Sequence, residues 1–509
     1  MCILNEFVTK IESVNNAING FVWGIPALIL LLGTGVLMTV LLKGFQFTHF
    51  CLSMKETLGK LFTSKSTRQA KEKHSISQFQ ALCTALSATI GTGNISGIAL
   101  AITMGGPGAI FWMWVAAIVG MMTNYAENVL GIYYRRRNNN GEWSGGAMYY
   151  LSTGLGGKKN CKTIGKVLAV LFSLFTTLAA FGIGNMGQVV SIKDSVLNVV
   201  SFTGNTTTDS FIIGIALMLF AALVIIGGIK RIAKANERIV PFMACFYIIF
   251  SLILICMNAD MILPAFASIF ENAFNPHAVA GGVSGAVLMN AITWGFKRGV
   301  FSNEAGLGSS VMVHSVSNVK EPVTQGMWGI FEVFFDTIIV CTLTALVILT
   351  SGTVDLQTGA SLSGANNLGL ATEAFTLHFG TLGGVFIAVA VTLFAFSTVL
   401  GWSYYGTKAW EYLFGTKSTM IFKVIFVVAI LAGTVLSTDM AISLSDTFNG
   451  LMAIPNLVGV IALSGVVVKI TRNYLKRNGQ NGDSTIKPML SYFPEIQEEQ
   501  EKALEEEKE

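Results

Sequence analysis

The sequence predicts an all-α polytopic membrane protein of about eleven transmembrane helices: one extra N-terminal helix, then two inverted sets of five. Three observations predict it. Of 509 residues, 52% are hydrophobic and only 12% charged, too apolar a balance for a water-facing surface wrapped around a core. Windows long enough to cross about 30 Å of hydrocarbon recur along the whole chain. Two of them, the second and the seventh, are interrupted by glycine and polar residues and stand first in their sets.

Residues 1–20 form an extracellular N-terminus without the basic stretch, short apolar run and small-residue site of a cleaved signal. The extra helix spans 21–42. A first repeat over 79–258 carries windows near 79–104, 107–134, 167–191, 208–229 and 239–258. A second over 280–468 carries 280–313, 326–351, 379–404, 422–437 and 441–468. Because five is odd, the second set enters the membrane inverted. Lys and Arg placement tests this parity, since short cytoplasmic loops concentrate positive charge. Seven lie between 43 and 78 (Lys43, Lys55, Lys60, Lys65, Arg68, Lys71, Lys73) and seven between 135 and 166, beginning with Arg135, Arg136 and Arg137. Lys230, Arg231, Lys234, Arg238, Lys320, Lys408 and Lys417 continue the same side, while 259–279 and 352–378 are nearly devoid of them. The N-terminus is therefore expected outside and the C-terminus inside a cell membrane, with the arginine triplet touching lipid headgroups. The tail 469–509 is expected to be cytoplasmic and, from about residue 478 to its closing run of glutamates, disordered or a fraying helix. Seven scattered cysteines without C-x-x-C spacing suggest neither a disulfide framework nor a zinc site.

Unpaired backbone groups cost several kcal/mol in hydrocarbon, so an unwound stretch survives only around a protein-enclosed cavity. In "SATIGTGN", residues 87–94, Gly91 and Gly93 let the chain leave helical geometry. The Thr92 and Gly93 amides then stand at the N-terminus of a half-helix, where a carboxylate binds well. The carbonyls ending the preceding half, around Ser87 to Ile90, suit a hard cation. Small residues that merely permit close helix packing are the alternative. The seventh window, "NAITWGFKRGVFSNEAGLGSS", supplies a second interruption, expected near 295–306, with Lys297, Arg298 and Glu304 at a depth where charge is paired or functional. Paired interruptions in two halves are the sequence mark of a secondary transporter's binding site.

The strings "TALSATIGTGNISGIALAI", "GGPGAIFWMWVAAIVGM", "GGAMYYLSTGLG", "FGIGNMGQ", "WGFKRGVFSNEAGLGSS", "DTIIVCTLTALVILTSG" and "FAFSTVLGWSYYG", spread over 84–406, resemble the alanine or glycine:cation symporter family, also called sodium:alanine symporters. The resemblance implies the architecture of the bacterial leucine transporter and sodium-coupled uptake of small neutral amino acids such as alanine and glycine by alternating access. It implies that the Thr92 and Gly93 amides hold the substrate carboxylate, that the Thr89 carbonyl faces the ammonium or a cation, and that Gln188 hydrogen-bonds substrate. It further implies a sodium shell of Ser87 and Ile90 carbonyls, the Phe394 carbonyl, and the Ser397 and Thr398 hydroxyls.

Some roles stay open. Trp402 and Phe301 either wall the substrate side chain or serve as an interfacial anchor and ordinary core packing. Asn94 either touches a cation or caps the half-helix. Asp336, isolated in mid-span, either serves a second cation, the ammonium or coupling, or pairs with Lys297 or Arg298. Glu127, Glu332 and Asp446 are expected to be structural partners. Enzyme chemistry is not expected: the sequence has no H-E-x-x-H or G-x-S-x-G and only five His. No phosphate-binding G-x-x-x-x-G-K-[ST] is present to drive an ATP pump. Proton coupling and, further off, a channel remain the alternatives. The expected partners are sodium, a small neutral amino acid and the bilayer, with no nucleic acid and no obligate protein partner.

Overall fold

The computed structural model describes residues 2–70, 74–274, 284–365, 367–435, 439–478, 482–483 and 485–506. Lys71 and Lys73 of the first basic loop and residues 280–283 of the seventh window lie outside the described residues. In chain order the helices are α1 Cys2–Val22, α2 Ile25–Leu41, α3 Gln78–Thr89, α4 Ser96–Gly105, α5 Gly108–Tyr133, α6 Lys162–Phe181, α7 Gly187–Leu197, α8 Thr206–Ile225, α9 Gly228–Met257 and α10 Ile262–Phe274. They continue as α11 Ser284–Asn303, α12 Val311–His314, α13 Pro322–Val333, α14 Thr342–Thr350, α15 Asn367–Phe379, α16 Thr381–Phe414, α17 Thr419–Val435, α18 Asp439–Asn478 and α19 Pro494–Glu506. Short helical turns join α2 to α3, and β1 (Arg136–Arg137) pairs antiparallel with β2 (Trp143–Ser144).

Among the described residues, nine helices are long and apolar enough to cross a membrane, and α3 with α4, bent by 59° across their break, makes a tenth. The expected eleventh falls short for a physical reason. Its helix, α11, carries Asn290, Lys297 and Arg298 and stops at Asn303, and one turn, α12, follows a break. Large apolar side chains on α8 and α17, such as Phe220, Leu223 and Val428, point outward, as a lipid-facing surface requires.

Segments outside the expected spans are structured, and the last differs from expectation. The N-terminus is a helix: its buried Asn15 bonds Ser443, and Asn19 bonds Asp446 and Thr447 at the start of α18. The segments 259–279 and 352–378 contain amphipathic helices, α10 and α15, which bury Ile269 and Phe375 while Leu263 and Leu377 stay exposed. The tail is docked rather than frayed. Leu490 is 1% exposed, the Tyr492 amide donates to the Tyr133 carbonyl at 2.9 Å, and Glu499 pairs with Arg137 of β1.

Arg135 also departs from the headgroup role. It is 2% exposed, and its guanidinium donates to the carbonyls of Ser315, Ser317 and Val319 at 3.2, 2.7 and 2.7 Å. Those three carbonyls lie in the turn between α12 and α13, where no helical partner exists for them.

Candidate functional site

The first break runs where the sequence placed it. After Thr89, Ile90 and Gly91 are extended, and residues 92–94 make one tight turn before α4 begins. Asn94 caps this turn: its Oδ1 accepts from the Gly91 amide at 2.9 Å, and its Nδ2 donates to Asp336 Oδ1 at 2.7 Å. Gly91 is required by proximity, since a Cβ there would lie 2.7 Å from Thr398 Oγ1 and 3.5 Å from Gln188 Oε1. At Gly93 a Cβ would meet only the Phe301 ring, at an ordinary 3.5 Å.

The Thr92 amide and hydroxyl both donate to Gln188 Oε1, at 3.4 and 3.2 Å. Gln188 Nε2 in turn donates to the Ile183 carbonyl at 3.0 Å, in the widened helical turn 182–186 between α6 and α7. That turn, "GIGNM", lets Trp402 approach closely: a Cβ on Gly184 would lie 2.3 Å from Trp402 Cβ. Thr89 turns its hydroxyl back toward its own helix, 3.4 Å from the Ala85 and Leu86 carbonyls.

On the other side of Gly91, α16 presents two adjacent hydroxyls. Thr398 Oγ1 stands 2.9 Å from both the Ser87 and the Phe394 carbonyl oxygens, and Ser397 Oγ donates to Phe394 O at 2.9 Å. Four of the five oxygens expected to surround sodium are thus linked in one chain of contacts, all within buried residues; Ile90 contributes the adjacent carbonyl at the end of α3. Asn236 of α9, which no sequence pattern marks, is buried and donates to Ser87 Oγ at 2.8 Å.

Asp336 joins the first interruption to the last turn of α11. Besides Asn94, it accepts from Ser302 Oγ and Thr337 Oγ1, both at 2.8 Å. It does not pair with the nearby cations. Lys297 Nζ lies 3.8 Å from Asp446 Oδ2, and the Arg298 guanidinium stacks over Trp294 and Phe301 at 5.3 and 5.4 Å. Glu127 is bonded by Asn456, and Glu332 by His314 and Asn124.

The second break is displaced from expectation. It occupies 304–310, beyond the end of α11, so Gly295, Lys297, Arg298, Gly299 and Phe301 all sit on unbroken helix. Gly295 serves close packing there, since a Cβ would lie 2.4 Å from the Ala109 carbonyl oxygen of α5. The unwinding begins at Glu304 (φ +56°) and continues with positive φ at Gly306 (+93°) and Gly308 (+74°), two alternate positions where glycine adopts it without cost. Glu304 anchors it by accepting from Trp402 Nε1 at 3.0 Å and from Ser309 Oγ. Trp402 is 1% exposed, so it is a buried strut between the second break and the turn 182–186 rather than an interfacial anchor.

A profile of the sodium:alanine symporter family matches residues 8–488. The sodium/alanine symporter AgcS of Methanococcus maripaludis is 46% identical over 468 residues, covering 92% of this chain and 98% of that protein. A probable sodium/glutamine symporter of Bacillus subtilis is 34% identical, covering 93% and 92%. A putative sodium/proton-dependent alanine carrier protein of the same organism is 33% identical, covering 93% and 94%. Among solved structures, MhsT in complex with L-phenylalanine superposes with a TM-score of 0.51 at 12% identity, over 79% of this chain and 99% of that one; at that identity the likeness is one of fold.

Proposed function

The chain belongs to the sodium:alanine symporter family, and from that premise we propose that it takes up small neutral amino acids, alanine and glycine among them, in symport with sodium by alternating access. One observation carries the reading: within a single break, amide donors suited to a carboxylate (Thr92) and a cluster of uncharged oxygens suited to an alkali cation (Ser87, Phe394, Ser397, Thr398) face each other across Gly91. In this reading the carboxylate takes the Thr92 and Gly93 amides, with Gln188 as a further hydrogen-bond partner and the Thr89 carbonyl toward the ammonium. Sodium takes the Ser87, Ile90 and Phe394 carbonyls and the Ser397 and Thr398 hydroxyls. Phe301 and Trp402 bound the side-chain space, and Asn94 and Asp336 transmit cation occupancy or hold a second cation. Residues 79–258 and 280–468 are read as the inverted repeats, with the N-terminus outside and the C-terminus in the cytoplasm of a plasma membrane.

The buried acids Asp336 and Glu304 beside the breaks favour one further reading, proton coupling. Labelled-alanine uptake into proteoliposomes with sodium, potassium or proton gradients imposed one at a time separates them. Accumulation is expected under the sodium gradient alone. Accumulation under a proton gradient without sodium overturns sodium coupling, and non-saturable conductance overturns carriage altogether.

A further inference from the structure

The face of α16 that carries Ser397 continues through Gly401, Tyr404, Lys408 and Glu411, spaced so that successive members stack on one side of the helix. About 16 Å beyond Ser397, at the 1.5 Å rise per residue of an α-helix, this stripe opens into a cavity of about 350 Å³. Its other walls are Trp143 of β2, the first residues of α9 and the first turns of α17. The volume falls within the range of small-ligand sites.

The lining is built rather than incidental. Lys408 is 4% exposed and held by Ser144 Oγ at 3.1 Å and Glu411 Oε2 at 2.9 Å. Glu411 Oε1 also accepts from Ser144 and Asn138, at 2.9 and 3.1 Å. Of the lining groups with no partner among the described residues, which include His74 and Lys230, two bear most directly on what the cavity can hold. The Tyr404 hydroxyl, on a residue 4% exposed, has no hydrogen-bond partner among the described residues, an unfavourable arrangement unless something fills it. Lys423, which also lines the cavity, has no ion-pair partner among the described residues. Glu142 lies in the same wall, so the cavity offers unpaired donors for an anionic group and carboxylates for a cationic one.

The geometry points to a second amino-acid site: the zwitterion's carboxylate docks on the Tyr404 hydroxyl and the Lys423 ammonium, and its ammonium faces Glu142 and Glu411. This rests on the transport reading above, in which the cavity lies at the cytoplasmic mouth and holds substrate on its way out of the break. The proposed contacts, Lys423, Glu142 and Glu411, balance both charges of the zwitterion without an added cation, so binding there is expected to need no sodium.

Isothermal titration of alanine into the purified full chain in detergent tests it, with and without sodium. The expected result is a tight phase that requires sodium and a weaker one that persists without it. Tyr404→Phe and Lys423→Met should each weaken only the second phase, about tenfold, and glycine should compete for that phase better than acetate. A single phase in the native chain, or a sodium-independent phase untouched by both substitutions, overturns the proposal. Acetate competing as well as glycine overturns the zwitterion assignment. A sodium-dependent phase on its own leaves the transport reading standing and removes the second site, whereas no alanine heat under either condition removes both.

Discussion

Replacing Gly91 by alanine puts one methyl group between the two halves of the central site. The backbone there, at φ −132° and ψ −156°, accepts alanine without torsional strain, so the whole effect is steric. The new Cβ would lie 2.7 Å from Thr398 Oγ1, roughly 0.8 Å inside the about 3.5 Å at which such atoms rest. Thr398 has little room to yield, because it is β-branched on a helix and its hydroxyl stands 2.9 Å from the Ser87 and Phe394 carbonyls. Rotation away leaves a buried hydroxyl or carbonyl unpaired, at about 1–3 kcal/mol, which corresponds to about 5- to 150-fold in an equilibrium constant. If the hydroxyl ligates sodium, Gly91→Ala therefore raises the sodium concentration for half-maximal alanine uptake by that range. Sodium titration of uptake in proteoliposomes measures it, with Thr398→Ala as the second arm of a double-mutant cycle. Once the hydroxyl is gone the methyl has room, so Gly91→Ala should add little on that background. Strictly additive effects, or an unchanged sodium dependence in Gly91→Ala, would refute the reasoning.

Gly93→Ala meets only the Phe301 ring at 3.5 Å, so sodium half-saturation should stay within about twofold of native; a shift matching that of Gly91→Ala places the steric limit at the wrong glycine. Asp336→Asn turns an amide toward three donors, Asn94, Ser302 and Thr337, and should destabilise by about 1.5–3 kcal/mol per charge-assisted bond lost, read as a lower thermal midpoint in detergent together with lost uptake. Arg135→Lys replaces a planar fork by a single ammonium and should speed amide hydrogen exchange over residues 315–319, whose carbonyls it binds; unchanged exchange there counts against a stapling role. Truncation after Pro488 removes the burial of Leu490, worth about 1.5–3 kcal/mol, and should lower the thermal midpoint while sodium-dependent uptake persists, because the family profile ends at residue 488.

The first break was legible because its signal is dense: two glycines and an asparagine inside an apolar run have few uses other than unwinding and capping. The second was misplaced by the same logic. Gly295 and Gly299 look like breakers in sequence, yet they lie where α11 rests on α5, and a sequence does not distinguish a glycine needed for approach from one needed for φ above zero. The residues that do unwind, Glu304, Gly306 and Gly308, were present in the same string. The Ser397 and Thr398 hydroxyls were readable from helical spacing and resemblance, whereas Asn236 was not, since a lone asparagine on a long helix carries no local pattern. Charge alone was also ambiguous. Arg135 reads as a topology signal, and only tertiary structure reveals the three carbonyls it satisfies. The docked tail escaped notice because its anchors, Leu490 and Tyr492, are isolated apolar residues before an acidic run.

Gln188 sets a threshold for whatever reaches the Thr92 amide. A tethered carbonyl oxygen already occupies that donor pair, at an effective concentration no dissolved molecule matches. An incoming ligand that merely offers another neutral oxygen exchanges like for like and gains almost nothing. A carboxylate gains the difference between a charge-assisted and a neutral hydrogen bond, about 1 kcal/mol for each donor it takes over. If the carboxylate docks there as proposed, the resident side chain acts as a reference against which ligands are compared, and amides and esters of amino acids are expected to bind poorly without any steric clash, by an exchange that runs close to zero for them and downhill for the free acid.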